Sequence, residues 1–263
     1  MRSAAASALL ALTLVAAGCG GSDDETSGSD APPPPPPPAT TSTKPEPIVG
    51  AADVGVYFVR DDELGFAQRS VAVTPLIAKA TLEELLAGPT AEEKEAGLTS
   101  DIPPNTEVVS VDVANAMADV ELSNPLDELG TMQAVQTLTQ LETIERVRLE
   151  GREYASADTE DALPAILVES PAPGATVASP LTIRGTANTF EATFQVELRP
   201  AVGKPLYKDF VTATSGNGTR GTFDQTLDFT VDRERPGTLV VYENSAEDGS
   251  VMSEVEIPVT IRP

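Results

Sequence analysis

Apolar and polar positions change period twice along this chain. Two stretches alternate near the start of the patterned region, "VGVYFVRD" at 54–61 and "QRSVAVTP" at 68–75, which predicts a pair of strands. Within "TPLIAKATLEELLAGPT" the spacing becomes three and four, with Ala78, Leu82, Leu85 and Leu86 on one face, which predicts a helix stopped by Gly88 and Pro89. Thr81 and Glu84 stand at capping-box spacing and predict a break or restart inside it. Alternation returns in "EVVSVDV" (107–113) and "NAMADVEL" (115–122), a hairpin turning at Ala114-Asn115. Met132, Val135, Leu138 and Leu141 predict a second helix over residues 131–141, and "RVRLEG" at 146–151 a closing strand. The order β-β-α-β-β-α-β over residues 51–154 predicts a mixed α/β domain with two helices on one face of a small sheet.

Beyond residue 165 the helical period vanishes. Seven strand candidates begin at 165, 181, 193, 207, 221, 237 and 255, separated by turn material such as "SGNG" at 215–218 and "EDG" at 247–249. Short strands at this spacing predict an all-β immunoglobulin-like sandwich over residues 165–263, joined to the first domain by a linker at 155–164. The fold class is therefore α+β. Pro258 inside the last strand calls for an edge or a bulge. With 4% aromatics and no Trp, the phenylalanines Phe194, Phe210 and Phe223 are expected in the core. Phe190 lies in the polar connection "TANTFEA" and is the candidate surface contact of this half; Pro103, Pro104 and Asn105 in "SDIPPNT" are those of the first.

The N-terminus adds an address. Arg2 and a short apolar stretch at 4–17 have the form of a secretory signal over residues 1–18, too short to span a bilayer comfortably. Ala16, Ala17 and Gly18 lead into Cys19, the one cysteine, in a pattern that resembles the lipobox of bacterial lipoproteins. That resemblance implies that Cys19 becomes the lipidated first residue, held at the outer face of the cytoplasmic membrane. Residues 19–50, acidic and then proline-rich with an unbroken run at 32–38, predict a disordered tether containing a stiff polyproline II segment.

Charge and missing residue types narrow the chemistry. The net charge of −24 disfavours nucleic acid as a partner. There is no histidine, no Gly-x-Gly-x-x-Gly and no P-loop, so Ser-His-Asp catalysis, histidine-based metal sites and a nucleotide cofactor have no support, and no cofactor is expected. Carboxylates remain. Asp61, Asp62 and Glu63 read as a solvated loop, and Glu243, Asn244, Glu247 and Asp248 as a strand connection without EF-hand spacing.

Residues 53–154 resemble the GerM-type sporulation and spore germination domain in "VYFVRD", "LEELLAGPTAEEKEAGLTSDIPPNTEVVSVDV" and "QTLTQLETIERVRLEG". Residues 165–263 resemble the immunoglobulin-like domain of bacterial spore germination proteins in "VESPAPGATVASPLTIRGTANTFEATFQVELR" and "VVYENSAEDGSVMSEVEIPVTI". The tandem behind a lipobox looks like an actinobacterial envelope lipoprotein. The resemblance brings no catalytic residues with it. It implies a non-catalytic, lipid-anchored binding or scaffold module that contacts envelope proteins or peptidoglycan. Two other readings stay open: a cell-wall glycan hydrolase using paired carboxylates, which needs a raised-pKa acid facing a second carboxylate, and a solute-binding lipoprotein.

Overall fold

A computed structural model describes residues 50–263; the signal segment, Cys19 and all but the end of the tether lie outside the described residues. Strands β1 (Ala51–Arg60) and β2 (Glu63–Ala72) form a two-stranded antiparallel hairpin. Asp61 and Asp62 make its two-residue turn at φ of 52° and 65°, the left-handed pair that matches strand twist. Helix α1 (Ile77–Leu86) runs through Thr81 without a break, burying Ala78, Thr81, Leu82 and Leu85. The capping box lies further on, at Thr90 and Glu93, where it starts a short unpredicted helix α2 (Ala91–Glu95).

Strands β3 (Val108–Ala114) and β4 (Met117–Leu122) pair as expected, but the turn is Asn115-Ala116, both at positive φ. Helix α3 (Glu128–Thr139) begins three residues earlier than its apolar spacing predicts, because the Asp127 carboxylate caps the Gly130 N–H at 2.7 Å. Strand β5 (Arg146–Leu149) does not close the domain; it turns through Glu150-Gly151 into β6 (Arg152–Ala155). The single small sheet is therefore corrected to two, the β1-β2 hairpin and a four-stranded sheet in the order β3-β4-β5-β6. Val56, Phe58, Leu82, Leu85, Val135, Leu138 and Val147 form the core between them and the helices.

Residues 156–162 form a 3-10 turn, followed by β7 (Ile166–Ser170), β8 (Thr176–Val177), β9 (Leu181–Ala187), β10 (Thr193–Pro200), β11 (Tyr207–Thr212), β12 (Gly221–Leu227), β13 (Arg235–Asn244) and β14 (Val251–Ile261). They make a sandwich of a five-stranded sheet, β11-β10-β13-β14-β8, and a three-stranded sheet, β12-β9-β7. Its core holds Ile183, Phe194, Val196, Leu198, Phe223, Leu227, Leu239 and Ile257, with Phe194 edge-on to Phe223. Phe210 is corrected: it points outward and is 62% exposed, because it follows the strand's alternation on the face away from the core. Pro258 sits where β14 pairs with β13, and its carbonyl accepts the Gly174 N–H from the other side. Its missing N–H thus faces away from β13, where no ladder bond is lost.

The two halves belong to one compact unit. Tyr57, Leu64, Leu163 and Leu167 form a small apolar cluster between them, joined by Phe66, Leu129 and Met132. Among the described residues no helix is long and apolar enough to cross a membrane.

Candidate functional site

The seam between the halves is held from several directions. Thr159 is fully buried, and its hydroxyl donates 2.7 Å to Gln136 of α3. Arg220, just before β12, donates to Glu160 at 2.9 Å, to the Pro164 carbonyl at 2.9 Å and to Thr186 at 3.3 Å, while Asn188 donates to the other oxygen of Glu160. Burial alone would raise the Glu160 pKa, but these partners hold its carboxyl below the usual range. Segment 155–164 is thereby a packed part of the seam.

Two recesses open there, both touching Phe66. One is a cavity of about 120 Å³ bounded by Arg60, Glu63, Leu64, Ile166, Glu254 and Val255. Burial pulls the Arg60 pKa down and pushes the Glu63 carboxyl up, and the Arg60 Nε is buried without a partner. The other is an open cleft of about 500 Å³ lined from the first half by Asp53, Gly55, Tyr57, Gln68 and Gln140 and from the second by Glu169, Ser170 and Arg184. A concave surface shared by two packed units and carrying buried titratable groups is where a ligand site is sought first.

The floor of the cleft follows from how α3 meets β1. Gln140 accepts from the Gly55 N–H at 3.2 Å and donates to the Gly55 carbonyl; Thr137 accepts from the Tyr57 N–H at 3.0 Å; Gln133 donates to the Tyr57 carbonyl at 3.0 Å. Alternate residues of the strand are matched by helix positions at i, i+4 and i+7, so side chains complete the edge that no strand pairs. A Cβ at residue 55 would fall 2.4 Å from the Phe66 ring, so only glycine lets strand, ring and amide meet. Above this floor the Tyr57 hydroxyl donates 3.2 Å to Glu169. Burial raises the Glu169 pKa, and burial together with the Glu169 charge raises that of Tyr57 far beyond neutral pH. Tyr57 therefore stays a neutral donor, and Glu169 is a carboxyl with increased proton affinity at the edge of a cleft. Arg184 is largely exposed and paired with Asp224 at 2.8 Å.

The residues singled out from sequence are placed apart from this cleft. Phe190 is 58% exposed at the end of the sandwich, its N–H donating 2.8 Å to Glu243. Pro103, Pro104 and Asn105 form a turn in which Thr106 donates 2.6 Å to the Pro103 carbonyl and Asn105 takes a φ of 62°. Glu243 is engaged by Phe190, while Asp248 accepts from Ser250. Among the described residues no group of three or more His, Cys, Asp and Glu is arranged to hold a metal ion. The cleft residues were not predicted because they come from β1, β2, α3, β7 and β9. The one local signal was the series Gln133, Thr137 and Gln140, a polar stripe on the buried side of a helix.

Residues 55–154 match the family described as "Sporulation and spore germination", and residues 165–250 the "Immunoglobulin-like domain of bacterial spore germination". Neither description names a reaction. No curated protein matches the chain. Among solved structures it is similar to a candidate lipoprotein from Clostridium perfringens, at 15% identity and a TM-score of 0.28 over 46% of this chain and 98% of that one. It is also similar to the tandem GerMN domains of the sporulation protein GerM from Bacillus subtilis, at 17% identity and a TM-score of 0.34 over 81% of this chain. It spans 61% of the length of that second protein. By the two family matches, residues 55–154 form a sporulation and spore germination domain and residues 165–250 an immunoglobulin-like domain of bacterial spore germination.

Proposed function

We propose that this protein is a non-catalytic envelope module, tethered outside the cytoplasmic membrane through a lipid on Cys19, that recognises peptidoglycan in the seam cleft. The observation that carries the reading is the cleft itself, which both domains line. Phe66 offers ring surface, and Gln68, Ser170, Asp53 and Arg184 offer donors and acceptors suited to a hydroxyl- and amide-rich polymer. A photo-crosslinking residue at Gln68 should capture glycan in intact cells, whereas one at Thr226, on the outer face of the sandwich, should not. Capture of an envelope protein at Gln68 instead would replace the polymer with that protein; equal capture at both positions would remove the cleft from the proposal.

Anchoring is tested separately by intact mass. A chain beginning at residue 19 with added acyl mass, absent in Cys19→Ala, is expected; an unmodified chain overturns it. The hydrolase reading is favoured by one observation, the raised proton affinity of Glu169 in a cleft that Asp53 also lines. Release of reducing ends from purified peptidoglycan that disappears in Glu169→Gln would establish it; no release is expected.

A further inference from the structure

The smaller recess at the seam holds charged groups that the fold leaves without partners. Its inner wall is apolar, with Leu64, Ile166 and Ile257 all buried. Its rim is acidic, because Asp61, Glu63 and Glu254 line it and are exposed. Arg60 is the one cation among the lining residues. Arg60 and Glu63 stand opposite each other across the tip of the β1–β2 hairpin, yet among the described residues they form no ion pair. The guanidinium groups of Arg69 and Arg220 are, by contrast, saturated: Arg69 donates to Glu93 from both terminal nitrogens, and Arg220 donates to Glu160, Pro164 and Thr186. Arg60 has an Nε that is buried without a partner, and its terminal nitrogens reach only the Glu256 carbonyl, at 3.5 Å, the limit of a hydrogen bond. Burial pulls its pKa down, and the neighbouring Asp61 charge offsets only part of this. A guanidinium left this way beside a cavity calls for an acceptor that the protein does not supply.

Size and charge together select the occupant. An apolar space of roughly 150 Å³ takes a benzene-sized molecule, so the cavity of about 120 Å³ admits a branched aliphatic side chain. A carboxylate would give Arg60 the acceptor it lacks, through a charge-assisted bond. A carboxylate alone is repelled by the acidic rim, and an amine alone by Arg60; a molecule that carries both charges beside an aliphatic body meets each with its opposite. From this arrangement we infer that the recess binds a free aliphatic α-amino acid, with its side chain against Leu64, Ile166 and Ile257, its carboxylate on Arg60 and its ammonium on Glu63. The site is separate from the seam cleft and does not rest on the glycan reading of it.

The test is isothermal titration calorimetry of the full chain with racemic leucine, with N-acetylleucine, which lacks the ammonium, and with leucinamide, which lacks the carboxylate. Leucine should bind at one site and raise Tm, and each analogue should bind about tenfold more weakly or worse. Arg60→Met keeps the aliphatic stem and strands no carboxylate, so it should fold with Tm at or above that of the parent and weaken leucine binding about tenfold or more. Glu63→Gln, at an exposed position, should narrow the gap between leucine and N-acetylleucine. Equal binding of leucine and leucinamide would overturn the proposal, as would an Arg60→Met variant that binds leucine like the parent. Neither heat nor a rise in Tm with leucine would overturn it outright. Tighter binding of N-acetylleucine than of leucine would give the recess to the C-terminus of a peptide, and would likewise overturn it.

Discussion

The two domains close their backbone edges by different means. In the sandwich, β9, β10, β13 and β14 each have a strand on both sides, and the core between the sheets is apolar. In the GerM-type domain β1 has a strand on one side only; Gln133, Thr137 and Gln140 of α3, with the Thr99 backbone, complete the other. A ladder tolerates most side-chain changes because its bonds belong to the backbone. A side-chain surrogate makes the same bonds depend on residue identity, and it places polar atoms where loss of a partner leaves a buried group unsatisfied.

That contrast can be broken or sharpened by substitution. The largest effect is expected at Arg69, which is buried over the Phe58 ring at 5.4 Å and donates from both terminal nitrogens to Glu93. Burial alone would raise the Glu93 pKa, but the bonds from Arg69 and Thr90 bring it below the usual range. Arg69→Met strands this carboxylate and should cost about 3–5 kcal/mol in urea unfolding. Gln133→Leu comes next. It removes the partners of the Tyr57 carbonyl and the Asp101 N–H and should cost about 2–4 kcal/mol, against under about 0.5 kcal/mol for Thr226→Ala on the exposed face of β12. Equal losses at Gln133 and Thr226 would show that the surrogate edge is not a stability element.

The sandwich has its own sensitive polar group, and it answers to pH. Arg199, Lys208 and Tyr242 donate to Glu197 and hold its pKa down to about 2, even though the side chain is buried. Because the folded value lies below the unfolded one, this stabilisation is present above about pH 4.3 and is lost as pH falls toward 2. An acid titration of Tm should therefore be flatter for Glu197→Gln, by a difference on the order of 2 kcal/mol between pH 5 and pH 2. The smallest expected effect is a gain: Ala116 sits at a φ of 58° in the β3–β4 turn, and Ala116→Gly should raise stability by about 0.5–1 kcal/mol.

Much of the architecture was legible in residue spacing. The alternation of "VGVYFVRD", the three-four spacing of Leu82 and Leu85, and the turn clusters between the later strands all report burial that repeats at a local period. The early start of α3 was missed because an Asp cap, not an apolar residue, sets it; α2 and β6 are too short to show a period. Phe190 stood out from its polar surroundings, whereas Phe210 did not, since an apolar residue in an alternating strand looks the same whether its face is covered or bare.

By itself the sequence determined the order of the longer elements, the division into an α/β part and a β part, and the resemblance to the two germination families. Tertiary structure decided what those elements face. Gln133, Thr137 and Gln140 meet a strand 76 to 85 residues away, and Tyr57 meets Glu169 across 112. Periodicity records that a position is buried but not which group waits opposite it. The polar edge of β1 and the cleft at the seam therefore exist only once the two halves have packed.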